Sequence, residues 1–285
     1  MSVLEPTRIY CLKFECGRRD YQPIVDIAVD CEGNIYCLSS NMIIKRDSTG
    51  RVVAKWGQFG DGEGEFGFVS GITIDRQRNV YVVEWGNARI QKFDSEGNYI
   101  CQWGSMGSDR GQFSSPYAVA ADRECNVYVV DTCNCRVQKF DSNGTFLSEW
   151  GRHGYGSGQF ICPCAIAIDS IGDSYVIDVD QNCVQKFDAS HEFVLGWGGH
   201  GGGEGRFNAP CSVAVDSLGH VYVLDTGNNR LQEFDPSGRF LGTWGIGGIG
   251  EGEFASPCGI AIDSYDRIYV ADTENCRVQV FEPLN

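Results

Sequence analysis

A period of 47 residues dominates this sequence. It relates five tryptophans, each followed by glycine: Trp56, Trp103, Trp150, Trp197 and Trp244. The same interval relates five tyrosines: Tyr81, Tyr128, Tyr175, Tyr222 and Tyr269. Self-similarity at a fixed period of 20 to 50 residues is typical of repeat architectures, in which each repeat is one supersecondary unit. We therefore expect residues 1–285 to form a single domain built from tandem units.

Each unit contains four short segments of β character bounded by turn residues. In the fourth unit these segments are residues 165–169, 174–178, 184–187 and 193–197. Four antiparallel strands at this period are typical of radial β-propeller blades, and no segment shows sustained helical periodicity. The predicted fold is all-β, a six-bladed β-propeller of four-stranded antiparallel blades.

The last unit stops after its third strand, at residues 277–281. Residues 8–14 precede the first inner strand, at the place where a fourth strand would stand, and Phe14 falls near the tryptophan position. We predict that this N-terminal strand completes the last blade and closes the ring. Closure removes exposed sheet edges, which otherwise invite aggregation.

Charge and composition limit the classes of partner that this chain can bind. The net charge is −15, from 38 acidic and 23 basic residues, so the mean surface field opposes binding of nucleic acid and of anionic lipid. The start of the chain lacks a signal-like pattern and no apolar run is long enough to cross a membrane. We expect a cytoplasmic monomer with no membrane partner, whose 14 cysteines are mostly free thiols.

Blades 2 to 6 share a pattern close to Pro-x-x-Ile-Ala-Ile-Asp, then Val-Tyr-Val-x-Asp-Thr-x-Asn-x-Arg-Val-Gln-x-Phe-Asp, then Trp-Gly and a glycine-rich loop. This pattern, which covers residues 8–282, resembles NHL repeats; blade 1 is degenerate, with Ser39 where the other blades have an acid. The resemblance implies a propeller whose relatives include interaction modules of ubiquitin ligases, some of them RNA-binding, bacterial sensor domains and metal-dependent lyases. Fold alone does not choose among these functions.

In a repeat protein, a residue present in every blade is explained by the blade, so function is sought where one blade departs from the others. The repeated tryptophans are accordingly assigned to the core, and the arginines repeated opposite acids to structural ion pairs. Two sets of loops share one face, here called the top face: those joining strand four to strand one, and those joining strand two to strand three. On this face Trp85, Tyr117 and Tyr155 are the predicted partner-binding aromatics.

Cysteine and histidine on the same face suggest a soft-metal site. Cys164, Cys211 and Cys258 occupy one position in three consecutive blades, and a metal such as zinc is the possible cofactor. Further candidate ligands are Cys162, Cys133, His153 and His200. The Cys-x-Cys spacings differ from those of common zinc modules, and cysteine is also a normal small core residue, so both interpretations stay open.

Three functions remain. The first is a non-catalytic scaffold or recognition module that binds a protein or peptide partner through the top-face loops. The alternative is a metal-dependent lyase or hydrolase with its site at the mouth of the central channel. The third, an RNA-binding NHL domain, is disfavoured by the net charge. No residues can be assigned to a catalytic mechanism.

Overall fold

The structure is a computed structural model that describes residues 8–13 and 23–282. Six four-stranded antiparallel sheets account for nearly all of its regular structure. The first strands of the sheets contact one another in a closed cycle, so the sheets stand as blades around a central channel. The predicted all-β, six-bladed β-propeller is confirmed.

The strands are as follows, blade by blade. Blade 1 contains β2 (Asp26–Val29), β3 (Ile35–Ser39), β4 (Met42–Arg46) and β5 (Val52–Trp56). Blade 2 contains β6 (Val69–Ile74), β7 (Val80–Glu84), β8 (Arg89–Phe93) and β9 (Tyr99–Trp103). Blade 3 contains β10 (Pro116–Ala121), β11 (Val127–Asp131), β12 (Arg136–Phe140) and β13 (Phe146–Trp150). Blade 4 contains β14 (Pro163–Ile168), β15 (Ser174–Asp178), β16 (Cys183–Phe187) and β17 (Phe193–Gly198).

Blade 5 contains β18 (Pro210–Val215), β19 (Val221–Asp225), β20 (Arg230–Phe234) and β21 (Phe240–Trp244). A loop with the short strands β22 (Ile246–Gly247) and β23 (Glu253–Phe254) leads to blade 6, which contains β24 (Pro257–Ile262), β25 (Ile268–Asp272), β26 (Arg277–Glu282) and β1 (Arg8–Lys13). The described residues include no helix long and apolar enough to cross a membrane.

The N-terminal strand closes the ring, as predicted. β1 pairs antiparallel with β26, with Arg8 opposite Glu282 and Lys13 opposite Arg277. The last blade is therefore built from both ends of the chain. Phe14, which the sequence places near the tryptophan position, lies outside the described residues.

The core lies between neighbouring blades. Trp150, at the end of blade 3, is only 8% exposed, and it packs against Ile166, Val176 and Phe187 of blade 4. The imidazole of His191 stacks flat on its indole, with ring centroids 4.1 Å apart. The repeated tryptophans serve this blade-to-blade packing, because large aromatic side chains bury the most apolar area.

Candidate functional site

Three exposed aromatic side chains form a cluster on the top face of blade 2. Trp85 stacks on Phe68, with ring centroids 4.9 Å apart and ring planes 21° apart. Phe68 meets Phe59 edge to face at 6.1 Å. Trp85, Phe68 and Phe59 are 42%, 53% and 67% exposed, respectively. We call Phe59, Phe68 and Trp85 the aromatic cluster.

The loops that carry the aromatic cluster are anchored by a buried ion pair. Arg89 donates to Glu84 through Nε at 2.6 Å, and both side chains are almost completely buried. The other carboxylate oxygen of Glu84 accepts bonds from the backbone N–H of Gly67 and from the side chain of Asn87. Arg89 also donates to the carbonyls of Asp61, Gly62 and Glu65. The cluster is thus presented by well-anchored loops, which lowers the entropic cost of binding.

The cluster is specific to blade 2. At the position of Trp85 the other blades have Thr132, Val179, Thr226 and Thr273, and at the position of Phe68 they have Ser115, Cys162, Ala209 and Ser256. Trp85 was singled out from the sequence, but Phe59 and Phe68 were missed, because each looked like an ordinary loop aromatic. Comparing the loop positions blade by blade would have found Phe68.

The other predicted aromatics lie elsewhere on the same face. Tyr155 is 80% exposed in the loop before blade 4, and Tyr117 is half-exposed at the mouth of the central channel. No ring contact joins either side chain to the aromatic cluster among the described residues. The structure therefore spreads the predicted partner-binding residues over three places.

The three equivalent cysteines hydrogen-bond across the seams between blades. The Cys164 thiol donates to the carbonyl of Pro210 at 3.6 Å, and the Cys211 thiol lies 3.6 Å from that of Pro257. The Cys258 thiol donates to the carbonyl of Ile24, across the seam to blade 1. In blade 2 the hydroxyl of Ser70 makes the same contact with Pro116. All three thiols are free.

Burial makes these thiols weak acids. It raises the pKa of Cys258 to about 11, it raises that of Cys211 further, and it raises that of Cys164 well above the ordinary value. Thiolate is the form that binds metal. No group of three or more His, Cys, Asp or Glu side chains within the described part of the chain is arranged to hold a metal ion.

The remaining predicted ligands do not gather around these thiols. Cys133, His153 and His200 are exposed, and Cys162 is half-buried. The two histidines occupy equivalent loops of neighbouring blades, and no hydrogen bond between them is present in the described structure. Burial and the nearby acids Asp180 and Asp178 raise the pKa of Cys162 to about 11.

Asp26 is a carboxylate in the wall of the central channel, and sequence analysis missed it. The channel encloses a cavity of about 260 Å³. At the position of Asp26 the other inner strands have Gly71, Ala118, Ala165, Ser212 and Gly259. Alignment of the inner strands on the small residue two positions later, Ala28 in blade 1, already shows this departure in the sequence.

The Asp26 carboxylate bridges two blades. It accepts the backbone N–H of Ile27 at 2.9 Å and, across the seam, the backbone N–H of Ile72 at 3.0 Å. Desolvation by the channel wall raises its pKa to about 7, despite these two hydrogen bonds. Burial raises the pKa of Tyr117 to about 12; the three equivalent cysteines add to this effect, and the charge of Asp26 adds less. Asp26 is thus a weaker acid than an ordinary aspartate, and it lines a cavity.

The six blades form a closed ring, so the fold is a β-propeller. Its top face carries the aromatic cluster. The NHL repeat family model matches residues 207–234 and 254–281, which lie in blades 5 and 6. This match and the six-bladed ring agree with the NHL-repeat β-propeller that the sequence pattern predicts.

Solved structures with the same fold include several enzymes. The chain is similar to a streptogramin B lyase, at 14% identity, with a TM-score of 0.67 and 100% of both chains covered. A catalytically inactive virginiamycin B lyase from Staphylococcus aureus, with quinupristin, gives 13% identity and a TM-score of 0.67, over 97% of this chain and 99% of that one.

A gluconolactonase from Xanthomonas campestris gives 13% identity and a TM-score of 0.69, over 99% of this chain and 91% of that one. At these identities the likeness establishes the fold alone. No curated protein matches the sequence.

Proposed function

We propose that this chain is a non-catalytic recognition module that binds a protein or peptide partner through its top-face loops. The observation that carries the proposal is the aromatic cluster of Phe59, Phe68 and Trp85. Solvent-exposed aromatic side chains grouped on anchored loops are typical of interaction surfaces, and tryptophan is enriched among the residues that dominate binding energy.

The charge around the cluster favours a basic partner. Asp61, Glu63 and Glu65 lie in the same loop as Phe59, and the chain as a whole carries a net charge of −15. Complementary charge accelerates association and suppresses wrong partners. We therefore expect a partner segment that combines an apolar or aromatic anchor with basic residues.

Selection from a random peptide display library tests this function. Peptides enriched on the wild-type protein should lose affinity by about tenfold or more on Trp85→Ala, because removing a central aromatic anchor costs well over 1 kcal/mol in such interfaces. Tyr265→Ala is the control, since Tyr265 is an aromatic residue that is 70% exposed on the opposite face. Equal affinity of the wild type and Trp85→Ala for every selected peptide would refute the proposal.

Catalysis at the channel mouth is the second candidate, and Asp26 is the observation that favours it. A carboxylate whose pKa is raised to about 7 is suited to general acid–base chemistry at neutral pH. The fold also supports lyases and a gluconolactonase. A lactone or cyclic ester substrate consumed by the wild type but not by Asp26→Asn would establish this candidate, and turnover by both would exclude Asp26 from it.

A further inference from the structure

Blade 4 has lost the cation of an ion pair that the repeat otherwise maintains. In blades 2, 3, 5 and 6 an acid at the end of strand two pairs with an arginine at the start of strand three: Glu84–Arg89, Asp131–Arg136, Asp225–Arg230 and Asp272–Arg277. In blade 4 the acid is retained as Asp178, but Cys183 lies opposite it in the same register. Blade 1 has lost both members, with Ser39 opposite Met42. Blade 4 therefore retains the carboxylate without its arginine.

A second change in blade 4 removes the side chain that faces the arginine. In blade 3, Arg136 donates through Nη1 to Glu149 at 2.7 Å. The counterpart of Glu149 in blade 4 is Gly196. Gly196 does not have a positive φ, and a Cβ there would lie 3.3 Å from the carbonyl oxygen of Val184, a tight contact that a small shift relieves. Both changes enlarge the same space.

The space left by the two changes is a cavity of about 380 Å³, here called the blade-4 pocket. Its lining includes Tyr155, Gln181, Cys183, Gln185, Gly196 and Trp197. Tyr155 stands at its edge and is 80% exposed. The pocket opens on the top side of blade 4, at the place where the other blades hold a guanidinium group.

The groups that receive the arginine elsewhere are still present. In blade 3 the Nη2 of Arg136 donates to the carbonyls of Asp109 and Gln112, at 2.9 and 3.0 Å. Their counterparts in blade 4 are the carbonyls of Gly156 and Gln159. The carbonyl of Gly156 accepts one bond, from the backbone N–H of Gln159, which leaves a lone pair for a further donor. The carbonyl of Gln159 already accepts the side-chain amides of Gln181 and Gln185, at 3.2 and 2.7 Å.

Asp178 supplies the negative charge. Its side chain is completely buried and accepts bonds only from neutral donors: the backbone N–H groups of Ile161, Cys162 and Gln181, and the side-chain amide of Gln181. No lysine, arginine or histidine of the described chain forms an ion pair with it. Asp178 lies behind the pocket lining and its two oxygens already accept these four bonds, so it acts on the pocket through its unpaired negative charge.

We propose that the blade-4 pocket binds a guanidinium group supplied by a ligand, in the place of the missing arginine. A guanidinium is planar and carries five donors, so it can bond to the Gly156 carbonyl and, where it displaces the Gln181 amide, to Asp178 and the Gln159 carbonyl. Tyr155 at the edge offers an aromatic face on which a guanidinium stacks. The same chemistry occurs in free guanidinium compounds and in arginine side chains of proteins. If the guanidinium belongs to an arginine of a bound protein segment, the inference rests on the proposed function. Binding of a free guanidinium compound does not depend on that function.

Titration calorimetry with N-acetyl-arginine amide tests the pocket. N-acetyl-citrulline amide, the neutral isostere, should bind at least tenfold more weakly, because it lacks the charge that Asp178 attracts. Cys183→Arg restores the arginine of the repeat, so it should abolish binding and raise Tm. Cys133→Arg is the matched control, since it adds the same charge to an exposed position of the same face, and it should leave binding unchanged.

Equal binding of the arginine and citrulline amides, or unchanged binding to Cys183→Arg, would overturn the proposal. If Cys183→Arg does not fold, Cys183→Met replaces it, because blade 1 already accommodates Met42 at this position; it should weaken binding of the arginine amide at least tenfold. A display-selected peptide distinguishes the sources: replacing its arginine by citrulline should weaken binding to the wild type but not to Cys183→Arg. Trp85→Ala should leave the amide unaffected, so failure of the aromatic cluster and failure of the pocket give different results.

Discussion

Blades 3 and 4 are neighbours with the same strand order and register, but they differ at one charged network. Blade 3 fills it with Asp131, Arg136 and Glu149. Blade 4 has Asp178, Cys183 and Gly196 in the corresponding places. The backbone pairing of the two acids with the residues opposite them is the same in both blades. The fold therefore tolerates the loss of the arginine in one blade, and this loss creates a pocket.

The packing of Trp150 between blades 3 and 4 should contribute more to stability than the charged network does. Trp150→Ala removes an indole that packs between them, so we expect a loss of about 3–5 kcal/mol in the free energy of unfolding. Urea denaturation followed by circular dichroism measures it. A loss below 1 kcal/mol would show that the repeated tryptophans are not the main contact between blades.

Arg136→Cys gives blade 3 the residue that blade 4 has at this position, Cys183. It leaves the buried Asp131 without its cation, so we expect a loss of about 3 kcal/mol. Urea denaturation is again the measurement, with Arg51→Cys as the control because Arg51 forms an exposed ion pair. No loss relative to the control would mean that the ion pair is dispensable in every blade.

Asp26, which occurs only in blade 1, should make the stability of the protein depend on pH. Its pKa is raised to about 7 from an ordinary value of 3.8, so the folded state holds this proton more tightly than the unfolded state does. The contribution of Asp26 to stability should therefore fall as pH rises from about 4 to 7, by at most about 1.4 kcal/mol per pH unit. The difference in unfolding free energy between the wild type and Asp26→Asn, measured from pH 4 to 8, checks it. A difference independent of pH would contradict the raised pKa.

Trp85→Ala should change stability by about 1 kcal/mol or less. Trp85 is half-exposed and its main contact is the stack on Phe68, which also faces solvent. Thermal melting beside Trp150→Ala measures the contrast. If the two variants lose equal stability, Trp85 belongs to the core and the aromatic cluster is not a free surface.

The smallest effect is expected for Cys211→Ser, within about 0.5 kcal/mol, because Ser70 already makes the equivalent contact in blade 2. The protonated thiols at positions 164, 211 and 258 should also react slowly with a thiol reagent in the native protein and rapidly after unfolding. Thiol counting and elemental analysis measure this. Stoichiometric zinc that protects these thiols would establish the metal site instead.

Most of the fold could be predicted from the sequence, because each blade repeats the same strand and turn signals at a fixed interval. The strand ends were accurate to about two residues; β14 begins at Pro163 rather than Ala165. The closing strand β1 was also predictable, since a blade with three strands leaves an edge that a spare segment can cover.

The candidate sites were less accessible to sequence reasoning. Trp85 departs from its equivalents in residue type, so it was visible, whereas its neighbour Phe68 is seventeen positions away and is joined to it only by the fold. Asp26 departs from its equivalents in the aligned inner strands, but its hydrogen bond to Ile72 of the next blade depends on the fold. The absence of an arginine at Cys183 was visible in the sequence, but the resulting cavity depends on Gly196 in another strand, which only the register of β16 and β17 brings opposite.

The closing strand has a consequence for biosynthesis. β1 leaves the ribosome before blade 1, and its partner β26 follows only after the other five blades. At about 5–20 residues per second this interval is on the order of tens of seconds. Blades 1 to 5 can assemble during this time, but β1 has no strand to pair with. Two nascent chains on one messenger are then able to exchange their first strands, which gives a swapped dimer with the same strand contacts as the monomer.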